Sequence, residues 1–185
     1  MGLEIELKVW IDDPDAVRSD LVLAGRPGRS YTKRDRYFGL DSSRDKTTTL
    51  FRLRADGNRW LVTRKNRIVE HGIEVNREIE YGVDDPDSFT AFCESLGYSI
   101  VVSKVKRVEQ FRLPGDGTVP SVLAELCVVE GLGNFLELEI LLPGESGAAA
   151  VQAAKSHLRS ILRRMKIDES RMEPRRYTEM LMEHR

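Results

Sequence analysis

The sequence has few of the residues that build zinc sites or disulfide frameworks. Its 185 residues include two cysteines, Cys93 and Cys127, which lie in apolar surroundings without CxxC spacing. We therefore expect two buried thiols, with neither a disulfide nor a zinc site. The three histidines, His71, His157 and His184, form no HxxxH pair. We expect them at the surface and do not expect metal or nucleophile chemistry based on histidine.

Long apolar runs and an excess of one charge are also absent. No apolar stretch approaches the ~20 residues of a membrane-spanning helix, and the first residues lack the basic-then-apolar order of a signal peptide. Charged residues make up 32% of the chain, yet the net charge is -1, so attraction to nucleic acid through overall charge is not indicated. We expect a cytoplasmic protein that binds neither membranes nor nucleic acid, and the length favours one domain over residues 1–185.

The sequence is rich in charged residues that alternate with apolar ones. In the first such segment, Glu4, Glu6 and Lys8 are separated by Ile5 and Leu7. Because strand side chains project to opposite faces with a period of two, the charged residues share one face and the apolar residues share the other. A half-buried strand with its charges in water has the same pattern, so this segment alone is weak support for a functional site.

The same alternation returns in five later segments, at 51–54, 61–65, 77–81, 104–107 and 135–140. The charged positions on these strands include six carboxylates and six cations: Glu4, Glu6, Glu78, Glu80, Glu137 and Glu139, and Lys8, Arg52, Arg54, Lys65, Lys104 and Lys106. Such a balance is expected of a site that holds a polyanion together with metal ions.

Several nearby cations have a simpler interpretation. Lys106 and Arg107 cannot share one strand face without a bulge, and we place Lys106 on the functional face. We expect Arg59, Arg64 and Arg67 to be solvated surface residues.

Capping and turn signals divide the chain into helices and strands. The tetrapeptide Asp-Asp-Pro-Asp occurs at 12–15 and 84–87 and is typical of a helix start. A third helix is predicted over about 146–165 and a short fourth one from Pro174. Eight strands are predicted near 3–11, 33–39, 49–56, 59–66, 75–82, 100–112, 121–129 and 134–142.

Antiparallel strands with this pattern could form an open sheet or close into a barrel. Charges on the outside of a barrel need no matching of cations with anions. Charges on the inside must be balanced and must stay wet or liganded, because isolated buried ions are very costly. The near balance of charge favours the inside. We predict an α+β fold in which an eight-stranded antiparallel β-barrel encloses a charged tunnel, with helices, including those of 146–185, packed on its outside.

The ordered set of motifs resembles the CYTH superfamily, the triphosphate tunnel metalloenzymes. Residues 4–8 resemble its ExExK signature. Further matches follow in order along the chain: 35–38 resembles D-x-Y-F, 52–54 R-x-R, 63–65 T-x-K, 77–80 R-E-x-E, 104–107 the basic strand, and 131–139 G-L-G-x-F-x-E-x-E. The superfamily includes class IV adenylyl cyclases, thiamine triphosphatases and inorganic triphosphatases. The resemblance implies a triphosphate substrate.

The residue types suit such a substrate. A triphosphate carries about four negative charges at neutral pH and requires cations along its length. We predict that Lys8, Arg52, Arg54, Lys65, Lys104 and Lys106 bind it. Mg2+ or Mn2+ prefers carboxylate and phosphate oxygens, so Glu4, Glu6, Glu137 and Glu139 are the predicted metal ligands. The resemblance implies that Glu78 and Glu80 face the tunnel to bind metal or orient a nucleophile, and with Lys8 they are the predicted catalytic residues.

One position departs from the family pattern. Class IV cyclases and many relatives have an Asp four residues before the G-L-G, where this chain has Cys127. A neutral thiol is a poor partner for Mg2+. Glu125, two residues earlier on the same strand face, is the predicted substitute ligand.

The predicted tunnel suits more than one reaction. Cyclisation of ATP to cyclic AMP and pyrophosphate needs the ribose hydroxyl aligned with the α-phosphorus. Hydrolysis of tripolyphosphate or thiamine triphosphate needs water at the terminal phosphorus. Segment 131–139 and the tail 176–181 resemble class IV adenylyl cyclases, so a cyclase is the leading interpretation and a triphosphatase the alternative. A non-catalytic polyphosphate- or nucleotide-binding module is the third, and a homodimer through the outer sheet face is left open.

Overall fold

The computed structural model describes residues 2–40 and 49–183. Its antiparallel strands are β1 (Gly2–Trp10), β2 (Arg26–Leu40), β3 (Phe51–Asp56), β4 (Arg59–Glu70), β5 (Ile73–Val83), β6 (Tyr98–Leu113), β7 (Val122–Val129) and β8 (Gly133–Pro143). They close into a barrel in the order β1-β5-β4-β3-β2-β6-β7-β8. The predicted eight-stranded barrel is confirmed, and the open sheet is wrong.

Within residues 2–40 and 49–183, four α-helices accompany the barrel: α1 (Pro14–Ala24), α2 (Pro86–Ser95), α3 (Ala148–Arg164) and α4 (Tyr177–Glu183), with one 3-10 turn at Glu169–Arg171. The two Asp-Asp-Pro-Asp segments cap helices as predicted. The Asp13 carboxylate accepts the backbone N–H groups of Asp15 and Ala16, and Asp85 does the same at the start of α2. None of the described helices combines the length and the apolar character needed to span a bilayer.

The main hydrophobic core lies between the outside of the barrel and the helices. Ile5 and Leu7 of β1 and Leu138 of β8 point outward and pack in one cluster with Leu158 and Leu162 of α3. Each of the five is at most 1% exposed. Burying a side chain of this size stabilises the fold by about 1.5–3 kcal/mol. The apolar faces of the strands therefore pack against the helices, and the charged faces line the barrel interior.

Both cysteines are buried free thiols, as predicted. Cys93 of α2 packs in a cluster with Phe38 and Leu53 at the outer face of β2 and β3. Cys127 packs with Phe135 and with Met180 of α4. These clusters hold α2 and α4 against the barrel.

The expected surface position of His157 is wrong. Its side chain is buried, and Nδ1 lies 2.9 Å from a carboxylate oxygen of Asp116 in the β6–β7 loop. The reason is helical spacing, because His157 lies three residues after Ala154 and four before Ile161 on the inner face of α3. His71 is exposed as expected, and His184 lies outside the described residues.

Candidate functional site

The barrel encloses a charged cavity of about 430 Å³. Strand alternation carries charged side chains into it, so that Glu4 and Lys8 face the cavity while Ile5, between them, faces the helices. The structure brings all thirteen predicted site residues to this one cavity: Glu4, Glu6, Lys8, Arg52, Arg54, Lys65, Glu78, Glu80, Lys104, Lys106, Glu125, Glu137 and Glu139.

The cavity has two walls of opposite charge. The cationic wall is formed by β4, β3, β2 and β6, and it presents Lys65, Arg67, Arg52, Arg54, Lys33, Lys104 and Lys106. The carboxylate wall is formed by β5, β1, β8 and β7, and it presents Glu74, Glu78, Glu80, Glu4, Glu6, Glu137, Glu139 and Glu125. Among the described strand residues that line the cavity, the exceptions are Lys8, a cation on the carboxylate wall, and Asp56, a carboxylate on the cationic wall. Each wall consists of four strands that are neighbours in the barrel.

Carboxylates are crowded in the middle of their wall. Glu6 stands directly opposite Glu74 on one side and Glu139 on the other. Burial, together with the neighbouring carboxylates Glu4 and Glu137, raises the pKa of Glu6 well above its usual value. Burial and the charge of Glu4 raise the pKa of Glu139 to about 7. Oxygen donors crowded in this way suit a hard divalent cation, whose charge offsets their repulsion.

Lysines of the opposite wall reach across to these carboxylates. Lys65 Nζ lies 2.6 Å from Glu4 Oε1, 2.7 Å from Glu78 Oε1 and 3.6 Å from Glu6 Oε2. Burial opposes ionisation of Glu4, but the charge of Lys65 together with hydrogen bonds from Glu6, Lys65 and Asn76 outweighs burial and lowers the pKa of Glu4 to about 2. Within residues 2–40 and 49–183, no three His, Cys, Asp or Glu side chains converge on a common metal position in this arrangement.

Glu125 belongs to a second network that spans the walls. Its carboxylate accepts hydrogen bonds from Tyr31 at 2.8 Å, from Lys33 at 2.8 and 2.9 Å, and from Lys106 at 2.8 Å. Lys106 also donates to Glu137 at 2.6 Å. Three donor groups thus make four hydrogen bonds to the two oxygens of Glu125, and its role as a metal ligand stays a prediction.

The two arginines of β3 on the cationic wall differ in their partners. Arg54 is buried and paired with Asp35, which also contacts Lys104. Arg52 is partly exposed to the cavity, and within the described part of the chain its Nε has no hydrogen-bond partner. Arg52 therefore lines the cavity without a hydrogen bond to any described residue that fixes its Nε.

Some site residues were absent from the sequence prediction. Lys33, which lies two residues before Asp35 on the same face of β2, could have been found from the alternation. Burial and the charge of Lys106 lower the pKa of Lys33 to about 8.

The expected surface position of Arg67 is also wrong. Its side chain is 11% exposed and donates to Glu74 at 2.7 Å. Strand β4 continues to Glu70, so the alternation that turns Lys65 inward also turns Arg67 inward. Arg59 and Arg64 are exposed, and Arg107 is an exposed partner of Glu130.

Cys127 is buried in one cluster with Tyr177 and Met180 of α4. Burial and the charge of Glu137 raise the pKa of its thiol to about 12, so it stays neutral. The ring of Tyr177 lies nearby, with the ammonium groups of Lys8 and Lys104 at 5.2 and 5.0 Å from its centroid. Such distances are typical of cation–π contacts.

No protein-family model matches this chain, and no curated protein matches it. Solved structures do match. The PH1819 protein from Pyrococcus horikoshii OT3 aligns with a TM-score of 0.80 at 27% identity, covering 98% of this chain and 99% of that one. A candidate adenylate cyclase from Vibrio parahaemolyticus aligns with a TM-score of 0.72 at 18% identity, covering 97% and 98% of the two chains.

A third match is HpAC1 from Hippeastrum, a candidate adenylyl cyclase with a dominant triphosphatase activity. It aligns with a TM-score of 0.68 at 15% identity, covering 99% of this chain and 96% of that one. The chain thus shares its fold with these proteins at low identity. At 18% and 15% identity the likeness shows a common fold, and the reaction has to be argued from the cavity.

Proposed function

We propose that this protein is a divalent-metal-dependent enzyme that acts on a triphosphate inside the barrel, and that hydrolysis of the triphosphate is its main reaction. The observation that carries this proposal is the division of the cavity into a cationic and a carboxylate wall. A polyphosphate suits the first wall and its metal ions suit the second. A site for an anion alone would gain nothing from eight carboxylates, because they would repel it.

The internal ion pairs support the same substrate. Lys65 and Lys106 are neutralised here by carboxylates across the cavity. Breaking one side of such a pair leaves a buried charge unpaired, which is costly. A triphosphate that arrives with its metal replaces both sets of partners, since phosphate oxygens take the lysines and the metal takes the carboxylates.

Each wall has a proposed role in the reaction. Glu4, Glu6, Glu137 and Glu139 would hold Mg2+ or Mn2+, which when bound supplies neutralisation of the charge that develops on the phosphate oxygens. Arg52 and Arg54 offer planar forks to phosphate oxygens, while the lysines act as point charges. Glu78 and Glu80 orient the attacking water. With tripolyphosphate, the water oxygen would bond to the terminal phosphorus as the bridging P–O bond breaks, a water proton would pass to one of these carboxylates, and orthophosphate and pyrophosphate would leave.

The composition of the cavity lining favours hydrolysis over cyclisation. Among the described lining residues, the apolar side chains other than tyrosine are Leu50, Phe51, Leu61 and Leu123, and charged side chains make up most of the rest. This surface suits phosphates better than it suits a purine base. Cyclisation of ATP is the second candidate, favoured by the structural match to the Vibrio protein.

Product analysis tests the proposal. Purified protein is incubated with tripolyphosphate, thiamine triphosphate or ATP and with Mg2+ or Mn2+, and products are identified by phosphorus NMR. Orthophosphate identifies a hydrolase, and cyclic AMP with pyrophosphate identifies a cyclase. Binding without turnover identifies a non-catalytic polyphosphate- or nucleotide-binding module.

A matched pair of variants localises the activity. Arg52→Met should abolish most of it, whereas Arg64→Met, which removes an exposed arginine from the outer face of β4, should leave it unchanged. Equal effects of the two substitutions would contradict a site inside the barrel.

A further inference from the structure

Asp35 is a buried carboxylate within the cationic wall. Its side chain is 0% exposed, and it does not line the cavity itself. Strand register places it directly opposite Arg54 on β3 and directly opposite Lys104 on β6. The three side chains therefore form one row across three neighbouring strands, with the anion between two cations.

The contacts of Asp35 fix the Arg54 side chain in one geometry. Arg54 donates from Nε to Oδ1 at 2.7 Å and from Nη2 to Oδ2 at 2.9 Å, a two-point contact that sets the plane of the guanidinium. Lys104 Nζ lies 3.0 Å from Oδ2, and the Tyr37 hydroxyl donates to the same oxygen at 3.2 Å. Nη1 is left as the Arg54 nitrogen that Asp35 does not engage.

These contacts also keep Asp35 ionised. Burial opposes its negative charge, but Lys104 and Arg54 outweigh burial and hold the pKa of Asp35 well below its usual value. The row therefore carries one net positive charge at neutral pH. Without the carboxylate, two buried cations would repel each other and lose their fixed positions.

Arg52 provides an internal comparison. It lies on the same strand two residues from Arg54 and faces the same cavity. On β2, the residue opposite Arg52 is Tyr37, whereas the residue opposite Arg54 is Asp35. The two arginines thus differ in whether a carboxylate stands directly across from them.

We propose that Asp35 is a positioning residue, which acts through Arg54 and Lys104 and does not touch the substrate. It holds the Arg54 guanidinium in place before the ligand enters, while Arg52 adapts to the ligand. This inference rests on the proposed function for the identity of the ligand. The orientation of Arg54 in the protein alone can be measured separately.

The first experiment needs no ligand. Arginine Nε–H signals are recorded by 15N NMR, and the Arg54 signal is assigned from its loss in Arg54→Lys. Because this N–H donates to a buried carboxylate, its hydrogen exchange should become at least about tenfold faster in Asp35→Asn. An Arg54 Nε–H that exchanges as slowly in Asp35→Asn as in the unmodified protein overturns the proposal.

The second experiment measures tripolyphosphate binding by calorimetry and turnover by orthophosphate release. Asp35→Asn keeps the shape of the side chain and removes its charge, and it should weaken binding or turnover by about tenfold or more. In an Arg54→Met background the same substitution should cost several-fold less, because its main partner is already gone. Equal losses in both backgrounds overturn the proposal and indicate a general structural role.

Asp87→Asn is the matched control. Asp87 is exposed, does not line the cavity and pairs with Arg36 of β2 at 3.8 Å, so we expect less than about a twofold change. If the unmodified protein binds neither tripolyphosphate nor ATP, the proposed function fails, and the hydrogen exchange of Arg54 still decides whether Asp35 positions it.

Discussion

Replacement of Lys65 by Met tests the electrostatic balance between the two walls. Lys65 Nζ contacts Glu4 and Glu78 within 2.7 Å and lies 3.6 Å from Glu6. The lowering of the pKa of Glu4 from 4.5 to about 2 corresponds to about 3 kcal/mol of stability at neutral pH. Removal of one partner of a buried pair costs about 3–5 kcal/mol in other proteins. We therefore expect Lys65→Met to lower the free energy of unfolding by about 3 kcal/mol.

The loss should depend on pH in a defined direction. In the parent protein the stabilisation by Glu4 is fully present above its unfolded pKa of 4.5 and is lost as pH falls through about 2. In the variant, burial and neighbouring carboxylates would raise the pKa of Glu4, so the folded state would hold a proton that the unfolded state releases. The destabilisation should thus grow as pH rises above 4.5 and be larger at pH 8 than at pH 5.

Urea unfolding followed by tryptophan fluorescence at both pH values measures this difference. Arg64→Met is the control, because Arg64 is the preceding residue of β4 and its exposed side chain lies on the outside. It should change the free energy of unfolding by less than about 0.5 kcal/mol. Equal stability of Lys65→Met and the parent at pH 8, or a larger loss at pH 5, would refute the reasoning.

Two further predictions concern other parts of the molecule. The pKa of Glu139 is raised from 4.5 to about 7, so between these pH values the folded protein holds a proton that the unfolded chain releases. The parent should therefore lose stability as the pH rises from 4.5 to 7. Glu139→Gln should therefore be more stable than the parent at pH 8 without divalent metal and similar near pH 5, and urea unfolding at both pH values checks this. Asp13→Ala removes the cap of α1 and should cost about 1 kcal/mol in urea unfolding while leaving triphosphate turnover unchanged, since α1 lies outside the barrel; reduced turnover would contradict this.

The strands and the content of the cavity could be predicted because one physical rule governs both. A charge at every second position makes one face of each strand polar, and the near balance of cations and anions then placed Glu6, Arg54 and Glu139 on the inside. Which strands pair with each other in the barrel could not be predicted in the same way. Pairing of β1 with both β5 and β8 joins residues far apart in sequence, and the two oppositely charged walls follow from these pairings.

Errors at strand ends explain most of the missed residues. The predicted end of β4 at residue 66 left Arg67 outside the barrel, whereas the strand continues to a turn at His71 and Gly72. His71 adopts a φ of 51°, which is uncommon for a residue with a side chain, and its sequence context gives little sign of it. The partnership of Asp35 with Arg54 depends on the register of β2 with β3, which the motif around Asp35 does not reveal.

The strict alternation of β1 has a consequence for how such a gene can change. A single substitution at Ile5 or Glu6 alters one contact, but deletion of either codon would exchange the two faces for part of the strand. Leucine would then enter the cavity, and glutamate would enter the layer beneath α3. Insertions and deletions should therefore accumulate in the connecting loops, where they do not change which side chains face the cavity. The strands should evolve mainly by substitution.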